Sequence, residues 1–326
     1  MNVIVATHER LLIADPAGGA VGEARDLDGR RLTCLATDPL SPARAWCGTS
    51  GDGIWRSDDA GRSWRAMGLA GEELTAVAAS PVEPDLVWAG TEPSALWRSD
   101  DGGASWRQLA GLDALPSAAE WSFPPRPQTH HVRWVACHPH HAGRLWLAIE
   151  AGALVTTADG GVSWRDRVAG GPYDTHELAI HPALPDTLRV AAGDGYYESH
   201  DAGATWESPD EGLAVGYLRS VTIDPGDPGT VLVSAASHPH AAYVTGLADG
   251  RVYRRQGSGR WQAVQAGWPD PPRTIAPLLA AGRAPGELWA ADERGVHRSA
   301  DGGRGWEALA SFAPTPSSLR GMALVD

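Results

Sequence analysis

SDDAGRSW at residues 57–64 returns as SDDGGASW (99–106), TADGGVSW (157–164), SHDAGATW (199–206) and SADGGRGW (299–306), with RRQGSGRW (254–261) as a worn copy. The form is Ser/Thr-x-Asp-x-Gly-x-x-Trp, and its Trp residues (64, 106, 164, 206, 261, 306) fall about 42 to 58 positions apart. That spacing suits a four-stranded propeller blade of roughly 40–45 residues with occasional insertions. The chemistry within each copy is local. The Asp carboxylate accepts from backbone N–H groups of its own turn, the Gly permits a positive φ, and the Trp buries a large ring between sheets.

Upstream of each copy runs an alternating apolar segment that closes at or near Pro: RLTCLATDP (31–39), ELTAVAASP (73–81), HVRWVACHP (131–139), THELAIHP (175–182), YLRSVTIDP (217–225), the weaker TIAPLLAAG (274–282), and LRGMALVD (319–326). Period-two alternation marks strands, and the turn residues that follow mark hairpins. These are seven first strands against six octapeptides. The count closes if 319–326 pairs with the N-terminal segments NVIVATHE, RLLIAD and VGEARD, leaving no free sheet edge. The expectation is an all-β chain, 1–326, forming a single seven-bladed β-propeller of four-stranded blades whose last blade is shared by the two ends. The excess of Trp, 15 against two Phe, follows from the repeat. Six close the octapeptides, Trp46, Trp88, Trp146 and Trp289 share one second-strand position, and Trp55 and Trp97 share a third-strand one.

The octapeptide resembles the BNR or Asp-box repeat of sialidases, sortilin-type receptors, xyloglucanases and the photosystem II assembly factor, which are β-propellers. The resemblance implies that each box joins the third and fourth strands of a blade, away from the active face. It therefore implies structural roles for Asp59, Asp101, Asp159, Asp201 and Asp301. The sialidase pattern is departed from in three respects: no Arg-Ile-Pro stands near the N-terminus, the blades number seven rather than six, and no Tyr–Glu nucleophile pair can be assigned. Neither a sialidase nor a xyloglucanase mechanism is carried over.

Composition narrows the function. A formal net charge of −13 disfavours nucleic acid and anionic membrane as partners, since both require a basic surface. All 27 basic residues are Arg, which excludes Schiff-base chemistry and a P-loop lysine. Cys34, Cys47 and Cys137 have no zinc or disulfide spacing. The start, MNVIVATHERLLIAD, lacks the basic and long apolar regions of an export signal, and no run is long enough to span a membrane. A cytoplasmic location is expected.

Departures from the repeat point to a ligand site at one mouth of the channel. At one equivalent position the first strands carry Thr33, Thr75, Arg133, His176, Arg219, Ala276 and Arg320. Arg133, Arg219 and Arg320 suit capture of a carboxylate or phosphate. Glu150 and Asp194, in second-to-third strand turns on the same face, together with His176 and Glu177, are the candidates for acid–base work. His131, His176, His238 and His240, from consecutive blades, are candidate ligands of a divalent transition metal. An insertion at 110–130 reads as a lid on this face, and Trp121, Trp134, Tyr173 and Tyr217, with Trp268, are expected as aromatic walls. The favoured reading is a hydrolase or lyase of the glycosidase-like type acting on an anionic small molecule or glycan. The alternatives are a non-catalytic scaffold for a protein partner and a His-ligated metal-dependent enzyme.

Overall fold

The alternating segments form seven antiparallel sheets in the computed structural model, which describes residues 1–123, 129–268 and 273–326. Each sheet is a blade, and blades are numbered here from Leu32. Blade 1 runs Leu32–Asp38, Ser41–Thr49, Ile54–Ser57 and Arg65–Ala66, and blade 2 repeats it from Glu73–Ala79 to Arg107–Leu109. The inner strands of blades 3 to 6 are Val132–Cys137, Thr175–Ile180, Tyr217–Asp224 and Leu278–Ala281. Blade 6 thus begins later than its sequence suggests. In blades 3 and 4 the fourth strand shrinks to one bridge, Thr156 with Arg165 and Glu198 with Glu207.

The last blade closes the ring. Leu319–Val325 is its inner strand and pairs antiparallel with Asn2–Thr7, from Asn2 opposite Val325 to Thr7 opposite Leu319; Leu11–Asp15 and Ala20–Glu23 complete it. Among the described residues no helix is long and apolar enough to cross a membrane.

The core lies between blades. Trp46, Trp88, Trp146 and Trp289 are fully buried at the shared second-strand position. Trp46, for example, packs with Leu74, Val87 and Ala89 of the next blade. Burying a ring of this size stabilises by roughly 4–6 kcal/mol on area grounds. Arg56, Arg144 and Arg298 lay their guanidinium groups over Trp46, Trp146 and Trp289 at 5.5, 5.3 and 5.6 Å, adding cation–π contact at the blade edges.

Each octapeptide closes its own turn. In the first, Ser57 Oγ–H donates to Asp59 Oδ1 (2.9 Å), Ser63 N–H donates to the same oxygen (2.9 Å), and Trp64 Nε1–H donates to the Gly61 carbonyl (2.9 Å). The equivalent Asp101, Asp159, Asp201 and Asp301 make the same Ser/Thr bond two residues back, at 2.8 Å. These bonds favour the ionised form and hold the Asp101 and Asp201 carboxyls down at about 2. All five aspartates are consumed by the turn, as the repeat implied.

The residue after each Asp is left-handed. Gly102, Gly160 and Gly302 have φ of 68°, 74° and 71°, while Ala60 and Ala202 hold φ of 60° and 61° with a Cβ. A methyl group there costs roughly 1 kcal/mol. Ala202→Gly is therefore expected to raise stability by about 0.5 kcal/mol after the entropy of Gly is subtracted. The denaturant midpoint measures this, and a fall would show that the Ala202 methyl contributes more by packing than it costs in strain.

Candidate functional site

Inner strands of six blades slip register at their start: between Leu32 and Cys34, Leu74 and Ala76, Val132 and Trp134, Thr175 and Glu177, Leu218 and Ser220, and Leu319 and Gly321. A β-bulge leaves one residue out of the ladder and re-aims its side chain. The skipped residues are Thr33, Thr75, Arg133, His176, Arg219 and Arg320. All six line one cavity of about 710 Å³ at the channel mouth. The bulge is the local device that turns a propeller strand into a provider of ligand groups. Ala276 of blade 6 is absent from this wall, and its carbonyl instead accepts from Arg219.

One side of the cavity is acidic. Glu150 Oε2 accepts from His131 Nε2 at 2.7 Å and forms an ion pair with Arg133 Nε at 3.2 Å. Burial pulls the other way, but His131, Arg133 and His176 together hold the Glu150 carboxyl down at about 2. His176 is fully buried, its Nδ1 at 2.5 Å from the Leu218 carbonyl and its Nε2 toward Glu150 and Asp174. Burial and the neighbouring Glu150 charge raise Asp174 above the usual carboxylate range, against the pull of His176. Glu177 accepts from Ser220 Oγ–H at 2.6 Å. Burial pushes its carboxyl up to about 7, in spite of that bond and of Arg133 and Arg219 nearby.

The other side is cationic. Arg219 is buried, donates through Nη1 and Nη2 to the Ala276 and Leu319 carbonyls (2.6 Å each), and stacks at 4.6 Å over Tyr243. It is thus a strut across blades 5, 6 and 7 as well as a cavity wall. Burial, with repulsion from Arg133 and Arg320, brings its guanidinium down to about 10. Arg320 is exposed at the mouth; partial desolvation and Arg133 lower it, and among the described residues it has neither a hydrogen bond nor an ion pair. Tyr217 completes the wall, its ring 4.9 Å from that of His176.

Several expected members lie elsewhere. Trp121 is buried in the core of blades 2 and 3, donating to Ser117 Oγ at 2.9 Å, because the turn Pro116–Glu120 is anchored on the Asp166 carboxylate. The described part of the 110–130 segment thus brings Phe123, not Trp121, to the cavity, where it meets His131 edge-on at 4.7 Å; residues 124–128 of that expected lid lie outside the described residues. Tyr173 is 43 % exposed, with Arg167 at 5.9 Å over its ring, and is not part of the cavity wall. Asp194 is exposed and accepts from Tyr197 O–H at 2.9 Å, so it does not join Glu150. Trp134 lines the cavity, but its Nε1–H is spent on the Leu178 carbonyl of blade 4 at 3.1 Å. Trp268 packs edge-on to Trp306 in the core of blade 6.

The four histidines do not assemble as a metal set. His238 and His240 are exposed at the start of the short helix Pro239–Tyr243, where His238 Nδ1 accepts the Ala241 N–H, and His131 is turned onto Glu150. Neither His238 nor His240 lines the cavity, whereas Pro239 and Tyr243 of the same helix do. Sequence reasoning missed Asp174, Ser220 and Tyr243. Asp174 carried a usable signal, since Asp-x-His at the start of a strand places both side chains on one face. Tyr243 carried none.

No protein-family model matches the chain, and no curated protein does. Among solved structures it is similar to the GH74 xyloglucanase from Xanthomonas campestris, with a TM-score of 0.69 and 17 % identity over 99 % of this chain and 52 % of that one. It is similar to an ancestral GH74 enzyme at TM-score 0.67 and 17 % identity, covering 86 % of this chain and 38 % of that one. YCF48 bound to D1 peptide gives TM-score 0.60 and 20 % identity, covering 85 % and 81 %. The chain spans about half or less of the GH74 enzymes. At these identities the likeness is one of fold, a β-propeller.

Proposed function

We propose that the propeller captures a small anionic molecule or acidic glycan at the channel mouth and acts on it as a hydrolase or lyase. The observation that carries this reading is Arg320, a cavity-lining guanidinium with neither a hydrogen bond nor an ion pair among the described residues, set near Arg133 and Arg219 so that Arg133 depresses both and Arg320 depresses Arg219. Like charges held together in a half-enclosed space are relieved by a bound anion, and guanidinium suits carboxylate or phosphate. Glu150, which pairs with Arg133, and Asp174 and His176 line the same space, and an anion clamp beside a polar, titratable wall suits bond cleavage. The fold likeness to a GH74 xyloglucanase supports a glycan.

A second reading, a scaffold gripping an acidic peptide, draws on the likeness to YCF48 bound to D1 peptide, a chain of similar length. Titration with carboxylated sugars, their neutral counterparts and an acidic peptide separates the two. Arg320→Met is expected to weaken binding of the carboxylated sugar about 10- to 100-fold, the effect of losing one charge-assisted bond, with the thermal midpoint kept. Equal binding of the neutral sugar, or an unaffected Arg320→Met, overturns the anion reading.

A further inference from the structure

We infer that Glu150, Asp174 and His176 form a site for one divalent transition-metal ion, Mn²⁺ or Zn²⁺, on the wall of the channel mouth between blades 3 and 4. The argument begins with how each side chain is held. His176 Nδ1 lies 2.5 Å from the Leu218 carbonyl, which makes Nδ1 the protonated nitrogen and leaves the Nε2 lone pair facing the cavity. Asp174 Oδ1 accepts from Ala151 N–H at 3.0 Å, leaving Oδ2. Glu150 Oε2 takes His131 and Arg133, leaving Oε1. Every member is thus anchored through one polar atom and presents the other to the same point, the way outer bonds orient the ligands of a metal.

The spacing of the presented atoms agrees. Nε2 stands 3.6 Å from Glu150 Oε1 and 3.7 Å from Asp174 Oδ2, and the three donors lie within 4.8 Å of one another. These gaps are too long for hydrogen bonds. Ligands about 2.0–2.2 Å from a shared ion stand roughly 3.0–3.5 Å apart, so a contraction of a few tenths of an ångström brings Nε2 and each carboxylate oxygen to ligand spacing, with the remaining positions open to water. The remaining neighbour of Nε2, the Tyr217 hydroxyl, is 3.4 Å away, long for an O–H···N bond. A second, independent feature is Gly193. A Cβ there would stand 2.0 Å from Asp174 Oδ2 and 3.2 Å from His176 Cε1. The cluster has its present shape because that residue has no side chain.

One imidazole and two carboxylates favour Mn²⁺ or Zn²⁺ over Mg²⁺ or Ca²⁺, which prefer all-oxygen shells, and over Cu(I), which prefers sulfur. Among the described residues one other group has comparable spacing, Glu198, His200 and Glu207, and it differs because Glu198 is already taken by Arg189, Arg255 and Tyr196.

The test uses the full chain, stripped with chelator and titrated calorimetrically with Mn²⁺ or Zn²⁺ alone; the Mn²⁺ paramagnetic resonance spectrum reports the environment. One ion per chain is expected. Binding should weaken at least tenfold in His176→Ala and in Gly193→Ala, the latter keeping all three ligands, and stay unchanged in His200→Ala. Asp174→Asn, nearly isosteric, serves if near-ultraviolet circular dichroism shows Gly193→Ala to be misfolded. Arg320→Met should bind metal normally, so loss of the anion site and absence of the metal site are read separately. No binding at millimolar metal, wild-type affinity in His176→Ala and Asp174→Asn, or loss in His200→Ala overturns the proposal.

Discussion

Deleting residues 319–326 is expected to abolish the folded monomer. The segment is the inner strand of the closing blade, and its loss leaves Asn2–Thr7 without a partner along its channel side. Val3, Ile4 and Val5 are fully buried there, and the deleted Leu319, Ala323 and Val325 fill the cores shared with blades 1 and 6. The removed burial and ladder bonds amount to on the order of 5–10 kcal/mol, against a total of about 5–15 kcal/mol for a typical native chain. The free strand would also be an exposed edge of the kind that drives aggregation. Size-exclusion chromatography and circular dichroism read the outcome. A synthetic peptide of residues 317–326, added in excess during refolding, should restore the monomer. A deletion variant that remains monomeric with an unchanged melting temperature would show that the ring is held elsewhere.

The same closure was legible in the amino-acid sequence because it rests on counting: seven alternating segments and six octapeptides leave one blade to be shared. The bulged positions were legible for a similar reason. They occupy a fixed place in a repeat, so Arg133, His176, Arg219 and Arg320 could be aligned without coordinates, and all four reach the cavity. What repetition does not govern could not be read in this way. Trp121 and Tyr173 lie in connecting segments, where the direction of a side chain depends on which neighbour anchors the loop. Asp166 and Ser117 turned Trp121 inward, and no spacing in the chain announces that bond. Asp194 and Glu150 occupy similar turns, yet Glu150 is drawn in by His131 while Asp194 is held outward by Tyr197. His238 and His240 were misplaced because a His-Pro-His turn suggests chemistry, whereas here it starts a short helix whose useful residue is Tyr243.

The largest effect of a single substitution is expected at Glu198, in the third strand of blade 4. Its carboxylate is buried at 8 % exposure, pairs with Arg189 Nη1 at 3.0 Å and with Arg255 Nη2, and accepts from Tyr196 O–H at 2.9 Å. Arg189 and Arg255 are themselves 8 % and 3 % exposed, and Arg255 lies 5.0 and 5.1 Å from the rings of Tyr196 and Trp261, which meet each other edge-on. One acid therefore serves two buried guanidinium groups at the seam of blades 4 and 5. Glu198→Ala leaves both uncompensated, at a cost of about 3–5 kcal/mol. Burial alone would raise this carboxyl, but the two Arg residues and Tyr196 hold it below its ordinary value. A group depressed by folding contributes stability that is fully present above its unfolded value and is lost as pH falls through its folded one. The wild-type chain should therefore lose stability on acidification below the ordinary glutamate range, and Glu198→Ala should lose correspondingly less over the same interval. Equilibrium denaturation at a series of pH values measures both. Pairing Glu198→Ala with Arg255→Met should recover part of the loss, since a buried ion group replaced by apolar side chains is frequently tolerated. A Glu198→Ala variant within about 1 kcal/mol of wild type would mean that water reaches the seam and screens both guanidinium groups.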